Sequence, residues 1–292
     1  MTEPIPSSEL IINPDGSAFH LHLLPEQLPD NIILVGDPSR VNLVAEHFDS
    51  RTFEVSAREF HSIGGTLRGT PVMALSHGIG PDNIDIVINE LDALANIDFA
   101  TRRPRPEHRT LNLVRIGTSG SLQADIPVGT PVAAAKSIGF DGVLNYYAGR
   151  NAVADLEYQA ALMDHTKWPY LLPTPYIVNA DPGLLDTVAA DDMVRGNTIS
   201  AVGFYGPQGR ELRLPLARPD LNDLIRSFSW RGHRVTNYEM ESAPLAGLAA
   251  LLGHRALTVC TIIANRYSHA ATPNYSTAVT DLISTVLTRL IP

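Results

Sequence analysis

The 292-residue chain is 44% hydrophobic and carries a formal charge of -9. That length and composition suit a soluble core, built as one large domain or two small ones, and the acidic balance argues against general affinity for nucleic acid, whose phosphates require a basic surface. A single cysteine, Cys260, excludes intrachain disulfides and cysteine-rich zinc sites; no apolar run nears the ~20 residues that span a bilayer.

Residues 1–18 hold Glu3, Pro4, Pro6 and Asp15 and no basic flank before an apolar segment, so no secretory signal is visible and the expected compartment is the cytoplasm. They read as an extension free to move, ahead of a domain over 19–292. Ile32 to Val35 is an apolar strand that runs into Gly36-Asp37-Pro38-Ser39-Arg40 and an amphipathic helix, Val41 to Phe48. Such a junction points backbone N–H groups beyond the strand end, where glycine lets an anion approach. It matches neither the G-x-x-x-x-G-K-[ST] nor the G-x-G-x-x-G loop, and many α/β folds turn this way with no ligand. Pro71 to Ser76 is a second buried strand, ending in His77-Gly78-Ile79-Gly80. The following helix, Asn83 to Ala95, places Ile84, Val87, Ile88, Leu91 and Leu94 on one face, with its acids expected in solvent. The Arg- and Pro-rich stretch from Asp98 to Arg109 reads as an exposed loop whose charge is solubilising.

Leu111 to Ile116 is a third strand, closing in Gly117-Thr118-Ser119-Gly120. Arg115 inside it needs an anionic partner, because an unpaired buried guanidinium is costly. The partner is either an acid such as Asp125 or Glu90, or a bound phosphate; the glycine and threonine at the strand end favour phosphate, since ligands of open α/β sheets collect there. Thr130 to Ala135 reads as a strand and Asn145 to Tyr170 as irregular or mixed. Asn197 to Val202 opens onto Gly203-Phe204-Tyr205-Gly206-Pro207-Gln208-Gly209-Arg210, where an amide and a guanidinium suit the edge of a heterocycle, or simply tip a polar turn. After a helix near Leu221 to Phe228, Glu239-Met240-Glu241 stands before the helix Ser242 to Leu252. Acids beside a thioether suit a pocket that grips hydroxyls under an apolar ring; the plainer reading is a solvated helix N-terminus, where acids are favoured by the macrodipole. A strand, Ala256 to Ala264, and a helix, Thr277 to Leu290, complete a βα-rich pattern without repeats or a domain boundary.

Six segments in order resemble the nucleoside phosphorylase family that contains uridine phosphorylase and the hexameric purine nucleoside phosphorylases: Gly36-Asp37-Pro38-Ser39-Arg40, Arg58-Glu59-Phe60, His77-Gly78-Ile79-Gly80, Arg115 to Gly120, Phe204 to Arg210, and Tyr238 to Ser242. The resemblance implies a single α/β domain, its twisted mixed sheet closing into a distorted barrel flanked by helices. It implies phosphorolysis of a nucleoside, with inorganic phosphate as co-substrate held by Gly36, Arg40, Arg115 and Thr118 and by Arg58 of a neighbouring subunit. His20 would cross the same interface to the ribose 5′-hydroxyl, in a homodimer or homohexamer. Glu239, Met240 and Glu241 would hold the ribose, with Glu241 on its 2′- and 3′-hydroxyls. Phe204 would stack on the base, and Gln208 and Arg210 would read a uracil edge, so that Arg210, Gln208 and Glu241 carry the catalytic roles. No metal or cofactor is implied for turnover. Some relatives hold structural potassium near positions matching Glu59 and Ile79, and Asn83 replaces an expected serine there. Purine-specific relatives place an aspartate near the base, for which Ser200-Ala201-Val202-Gly203 was the matching stretch and has no acid. Uridine is therefore the expected substrate, ahead of purine phosphorolysis, a nucleosidase or a non-catalytic binder.

Overall fold

A computed structural model describes residues 3–272 and 274–292. The sheet is built from β1 (Asn31–Val35), β2 (Ser50–Ala57), β3 (Phe60–Leu67), β4 (Thr70–Ser76), β5 (Asn112–Ser121), β6 (Pro131–Gly139), β7 (Tyr176–Asn179), β8 (Val194–Ser200), β9 (Asn237–Glu239), β10 (Arg255–Asn265) and β11 (Ala270–Ala271). The helices are α1 (Ser39–Ala45), α2 (Pro81–Asn96), α3 (Leu156–Thr166), α4 (Pro182–Val188), α5 (Leu221–Ser227), α6 (Ser242–Leu252) and α7 (Ser276–Leu290).

Isoleucine, leucine and valine fill β1 without alternation, as a strand covered on both faces requires, and β1 lies parallel between β4 and β5. β5 pairs next with β10, β10 with β6, β6 with β8, β8 with β9, and β9 returns to β5. That circuit closes a five-stranded barrel, and β1, β4, β3 and β2 extend from it as an open wing. Helices α2 and α6 cover one side, with Ile84, Val87, Ile88, Leu91 and Leu94 of α2 buried against Leu245 and Leu248 of α6. Helices α1, α4 and α7 cover the other through Val41, Leu184 and Ile283. α6 is apolar and buried almost all round, the mark of a core helix rather than a surface one.

Several expectations change in three dimensions. Gly117 to Gly120 do not leave the third strand; they continue it against Cys260 to Ala264 of β10. The segments over 50–57 and 60–67, of which only Arg58-Glu59-Phe60 stands out in the sequence, form a hairpin whose turn places Arg58 at φ 56°. Three of the α2 acids are not in solvent: Glu90 accepts from the backbone N–H of His20 and Leu21, Asp85 from Tyr147, and Asp92 pairs with His254. The stretch from Asp98 to Arg109 does more than solubilise. It forms a short two-stranded pairing, Ile97–Asp98 with Arg103–Pro104, and Arg102 donates to the carbonyls of Ile5, Pro6 and Leu10. Of the extension over 1–18, residues 1 and 2 lie outside the described residues; Ser17 and Ala18 are buried and Asn13 bonds to the Ala18 carbonyl. Among the described residues no helix is long and apolar enough to cross a membrane.

Candidate active site

Beyond the carboxyl ends of β1, β4 and β8, and along the glycine-bearing half of β5, lies a cavity of about 770 Å³. The ends of β1 and β4 converge there because those strands are parallel, the usual ligand position of such sheets, whereas β8 runs in the opposite sense and reaches the cavity through the loop that follows it. Gly36 and Arg40 enter from the end of β1, Gly78 from the end of β4, Thr118 from β5, Met240 from the turn after β9, and Ile263 from β10. Ile263 is the residue skipped by the register shift between Ile262 and Ala264, so a bulge turns the strand at the cavity wall.

Arg115 lies at the centre. Its side chain folds over Gly117, where an added Cβ would stand 2.9 Å from Arg115 Nη1; glycine two residues on is what lets the guanidinium lie there. Nη1 meets Glu239 at 2.9 Å, Nη2 pairs closely with Glu241, and Nε donates to His77 Nε2 at 3.1 Å. The partner is thus neither Asp125, which pairs with Arg234, nor Glu90, which pairs with His20. Burial works against Arg115's charge, but Glu241 and Glu239 more than offset it and hold the group firmly protonated. Burial pushes Glu241 above the ordinary carboxylate range even with Arg115 beside it.

Both acids are buried, at 4% exposure each, so they are not a solvated helix end. They do stand at the N-terminus of α6. Glu239 accepts from the backbone N–H of Glu241 and Ser242 and from the hydroxyls of Ser200 and Ser242, each at 2.6 to 3.0 Å. With Arg115 added, its oxygens are fully engaged. Glu241 is the N-cap residue and accepts from Gly80 N–H at 2.8 Å. Glu239 therefore shapes the turn that presents Glu241 and half-buried Met240.

At the far end the loop after β8 folds back on itself. Arg210 Nη1 donates to Gln208 Oε1 at 2.6 Å and to the Phe204 carbonyl at 2.5 Å, with its guanidinium 3.8 Å over the Phe204 ring. Gln208 is buried and its carbonyl accepts from Arg266 and Asn222. Burial, with the Arg266 guanidinium nearby, lowers Arg210 to about 10. Ser200 to Gly203 are not among the residues lining the cavity, though Phe204 beside them is. The neighbouring wall is Ile263 and Ala264, also without a carboxylate; the acids lining the cavity are Asp37, Glu59, Glu239 and Glu241.

Gly36 and Gly78 with Arg40 and Arg115, the Glu239-Met240-Glu241 turn, and the Gln208 amide beside the Arg210 guanidinium share one cavity. Residues 30–291 match the family model described as the phosphorylase superfamily. The chain belongs to the phosphorylase superfamily. It is 29% identical over 277 residues to the uridine phosphorylase of Thermococcus kodakarensis, covering 92% of this chain and 85% of that protein. It is 30% identical over 247 residues to a DeoD-type purine nucleoside phosphorylase of Listeria welshimeri, covering 84% of this chain and 86% of that protein. Among solved structures, a Trypanosoma brucei nucleoside phosphorylase described as showing uridine phosphorylase activity superposes with a TM-score of 0.87 at 27% identity, covering 97% and 99% of the two chains. The single α/β domain with its closed barrel is the one this likeness calls for. The protein is a pentosyltransferase of nucleoside phosphorylase type.

Ten of the site residues expected in this phosphorylase line the cavity: Gly36, Arg40, Arg115, Thr118, Phe204, Gln208, Arg210, Glu239, Met240 and Glu241. His20 and Arg58 do not. These two gather elsewhere, on either side of Phe19: the His20 ring lies 4.7 Å from it edge-on and the Arg58 guanidinium 5.6 Å over it, while His20 Nδ1 is 2.6 Å from Glu90. Sequence reasoning gave no role to His77 or Arg266. A histidine in a Gly-rich strand end and an arginine just past an apolar strand were the available signals. Ser200 could not have been found, because its partner Glu239 is 39 residues away.

Proposed function

We propose that this phosphorylase cleaves a pyrimidine nucleoside, converting uridine and inorganic phosphate reversibly to uracil and ribose 1-phosphate. The observation that carries the reading is the Gln208–Arg210 pair on the cavity wall, an amide and a guanidinium 2.6 Å apart. Such a pair can meet the carbonyls and the N3–H of uracil and favour the charge that gathers on the base as it departs. A purine leaving through N7 would instead need a proton donor at that wall.

The roles divide along the cavity. Arg40, Arg115, Gly36 and Thr118 bind phosphate, with Arg58 arriving from a second copy of the chain, and place it below C1′. Glu241 accepts from the ribose 2′- and 3′-hydroxyls, Met240 packs under the sugar, and His20 of the second copy reaches the 5′-hydroxyl. His20, Phe19 and Arg58 do not line their own chain's cavity, which supports a homodimer or a ring of dimers with shared sites. Glu59, Ile79 and Asn83 line one end of the cavity, and Asn83 Nδ2 lies 3.4 Å from the Ile79 carbonyl, the region where structural potassium would sit. Inorganic phosphate is a co-substrate, and the proposed chemistry calls on no cofactor.

Uracil and hypoxanthine release should be measured from uridine and inosine, each with and without phosphate. Phosphate-dependent release of uracil is the expected outcome. Faster release of hypoxanthine would overturn the base assignment, and release that ignores phosphate would make the protein a nucleosidase.

A further inference from the structure

We propose that His77 is a positioning residue for the phosphate-binding guanidinium: its neutral imidazole accepts at Nε2 from Arg115 Nε and fixes the plane in which Arg115 presents its two terminal nitrogens. The inference rests on the reading of Arg115 as a phosphate ligand.

His77 is fully buried immediately after β4, anchored by its backbone N–H to the Val35 carbonyl at 2.9 Å. Arginine can only donate, so the 3.1 Å contact requires a lone pair on His77 Nε2. The ring proton therefore sits on Nδ1, which is buried and makes no hydrogen bond of ordinary geometry among the described residues. The Arg115 contact holds the other ring nitrogen, and backbone groups of Gly78 and of His77 itself also act on the imidazole. The ring also packs at the phosphate corner, since a Cβ added at Gly36 would stand 3.8 Å from His77 Cε1.

The chemistry explains why a histidine suits this position. Arg115 already faces two carboxylates. A third would orient the guanidinium as well but would surround it with anions and oppose phosphate. A neutral acceptor removes the last torsional freedom of the side chain and leaves its charge available. Burial, together with Arg115 and Arg40, keeps the imidazole uncharged by holding it well below its usual pKa.

The test compares wild type with His77→Leu, which fills much of the space without an acceptor, and His77→Gln, whose Oε1 can replace Nε2. Inorganic phosphate affinity is measured by calorimetry, and KM for phosphate and for uridine by turnover. Loss of a charge-assisted hydrogen bond predicts phosphate affinity weaker by roughly 10- to 100-fold in His77→Leu, a much smaller change in KM for uridine, and recovery to within a few-fold in His77→Gln. Equal change in both KM values, or a glutamine variant no better than leucine, overturns the proposal. Nitrogen-15 histidine spectra of the wild-type protein give a reading that does not depend on whether a variant folds. A non-protonated Nε2 with a protonated Nδ1 is expected for His77, and a proton on Nε2 overturns the assignment. Wild type that binds phosphate but leaves uridine intact would refute the pyrimidine reading while leaving His77 testable by calorimetry; wild type without phosphate affinity refutes both.

Discussion

The two ends of the cavity are built differently. At the end proposed to take phosphate and ribose, Arg115, Glu239, Glu241 and His77 are all buried, rise from strand ends or a helix start, and satisfy one another. At the end proposed to take the base, Phe204 is half exposed, Arg210 is half-buried, and both belong to a loop closed mainly by its own hydrogen bonds and by Arg266. The first end is continuous with the barrel core, so its geometry is as rigid as the fold. The second can change without disturbing a strand. Chemistry shared by all substrates belongs on the rigid end, and the choice of base belongs on the loop.

If that division is right, the largest effect falls on Arg115→Ala. Removing the cation leaves two buried carboxylates facing each other, so unfolding stability should drop by about 3–5 kcal/mol and phosphate-dependent turnover should vanish. Urea denaturation beside a uracil-release assay checks both. Unchanged stability would break the link between site and core. Arg210→Ala comes next: kcat/KM for uridine should fall roughly 100-fold while stability moves by no more than about 0.5 kcal/mol and phosphate affinity holds. A comparable loss of phosphate affinity would mean the two ends are not separable.

A smaller effect should appear with pH. Glu241 is raised by burial, so the folded protein holds a proton there at pH values where the unfolded chain has released it. Across the window from the ordinary carboxylate value up to the raised one, this group's contribution to stability grows as pH falls and is lost as pH rises. The stability difference between wild type and Glu241→Gln, followed by urea titration over a pH series, should change in that window and be level above it. The smallest effect concerns Cys260. It is buried beside Arg115, and burial pushes its thiol up to about 12. A thiol reagent should label it in denaturant and leave the folded enzyme unmodified and active; rapid labelling of the native protein would show that the barrel opens at this site.

Much of this was legible because it is local. The run Ile32 to Val35 could only be a doubly covered strand, and the spacing of apolar residues on α2 gave its buried face correctly. Its acids were misjudged, since Glu90 meets His20 only after 70 residues of intervening chain have folded back. Arg115's need for an anion was evident from its apolar neighbours, yet its partners lie 124 and 126 positions on, beyond the reach of any pattern. The hairpin over residues 50–67 was missed although Phe53, Val55 and Ala57 alternate with Glu54 and Ser56, because this half-exposed strand has no continuous apolar run.

By itself the sequence determined the order of the elements, the residue types at each strand end, and hence which side chains were fit to hold phosphate, sugar and base. The closed barrel decided the rest. Only by joining β9 back to β5 does it bring Glu239 and Glu241 onto Arg115, and only the folded chain shows that Phe19, His20 and Arg58 do not line this cavity. Long-range pairing fixes both, because a charge buried in a sheet takes whichever partner the strand order puts beside it, and strand order is a property of the whole chain.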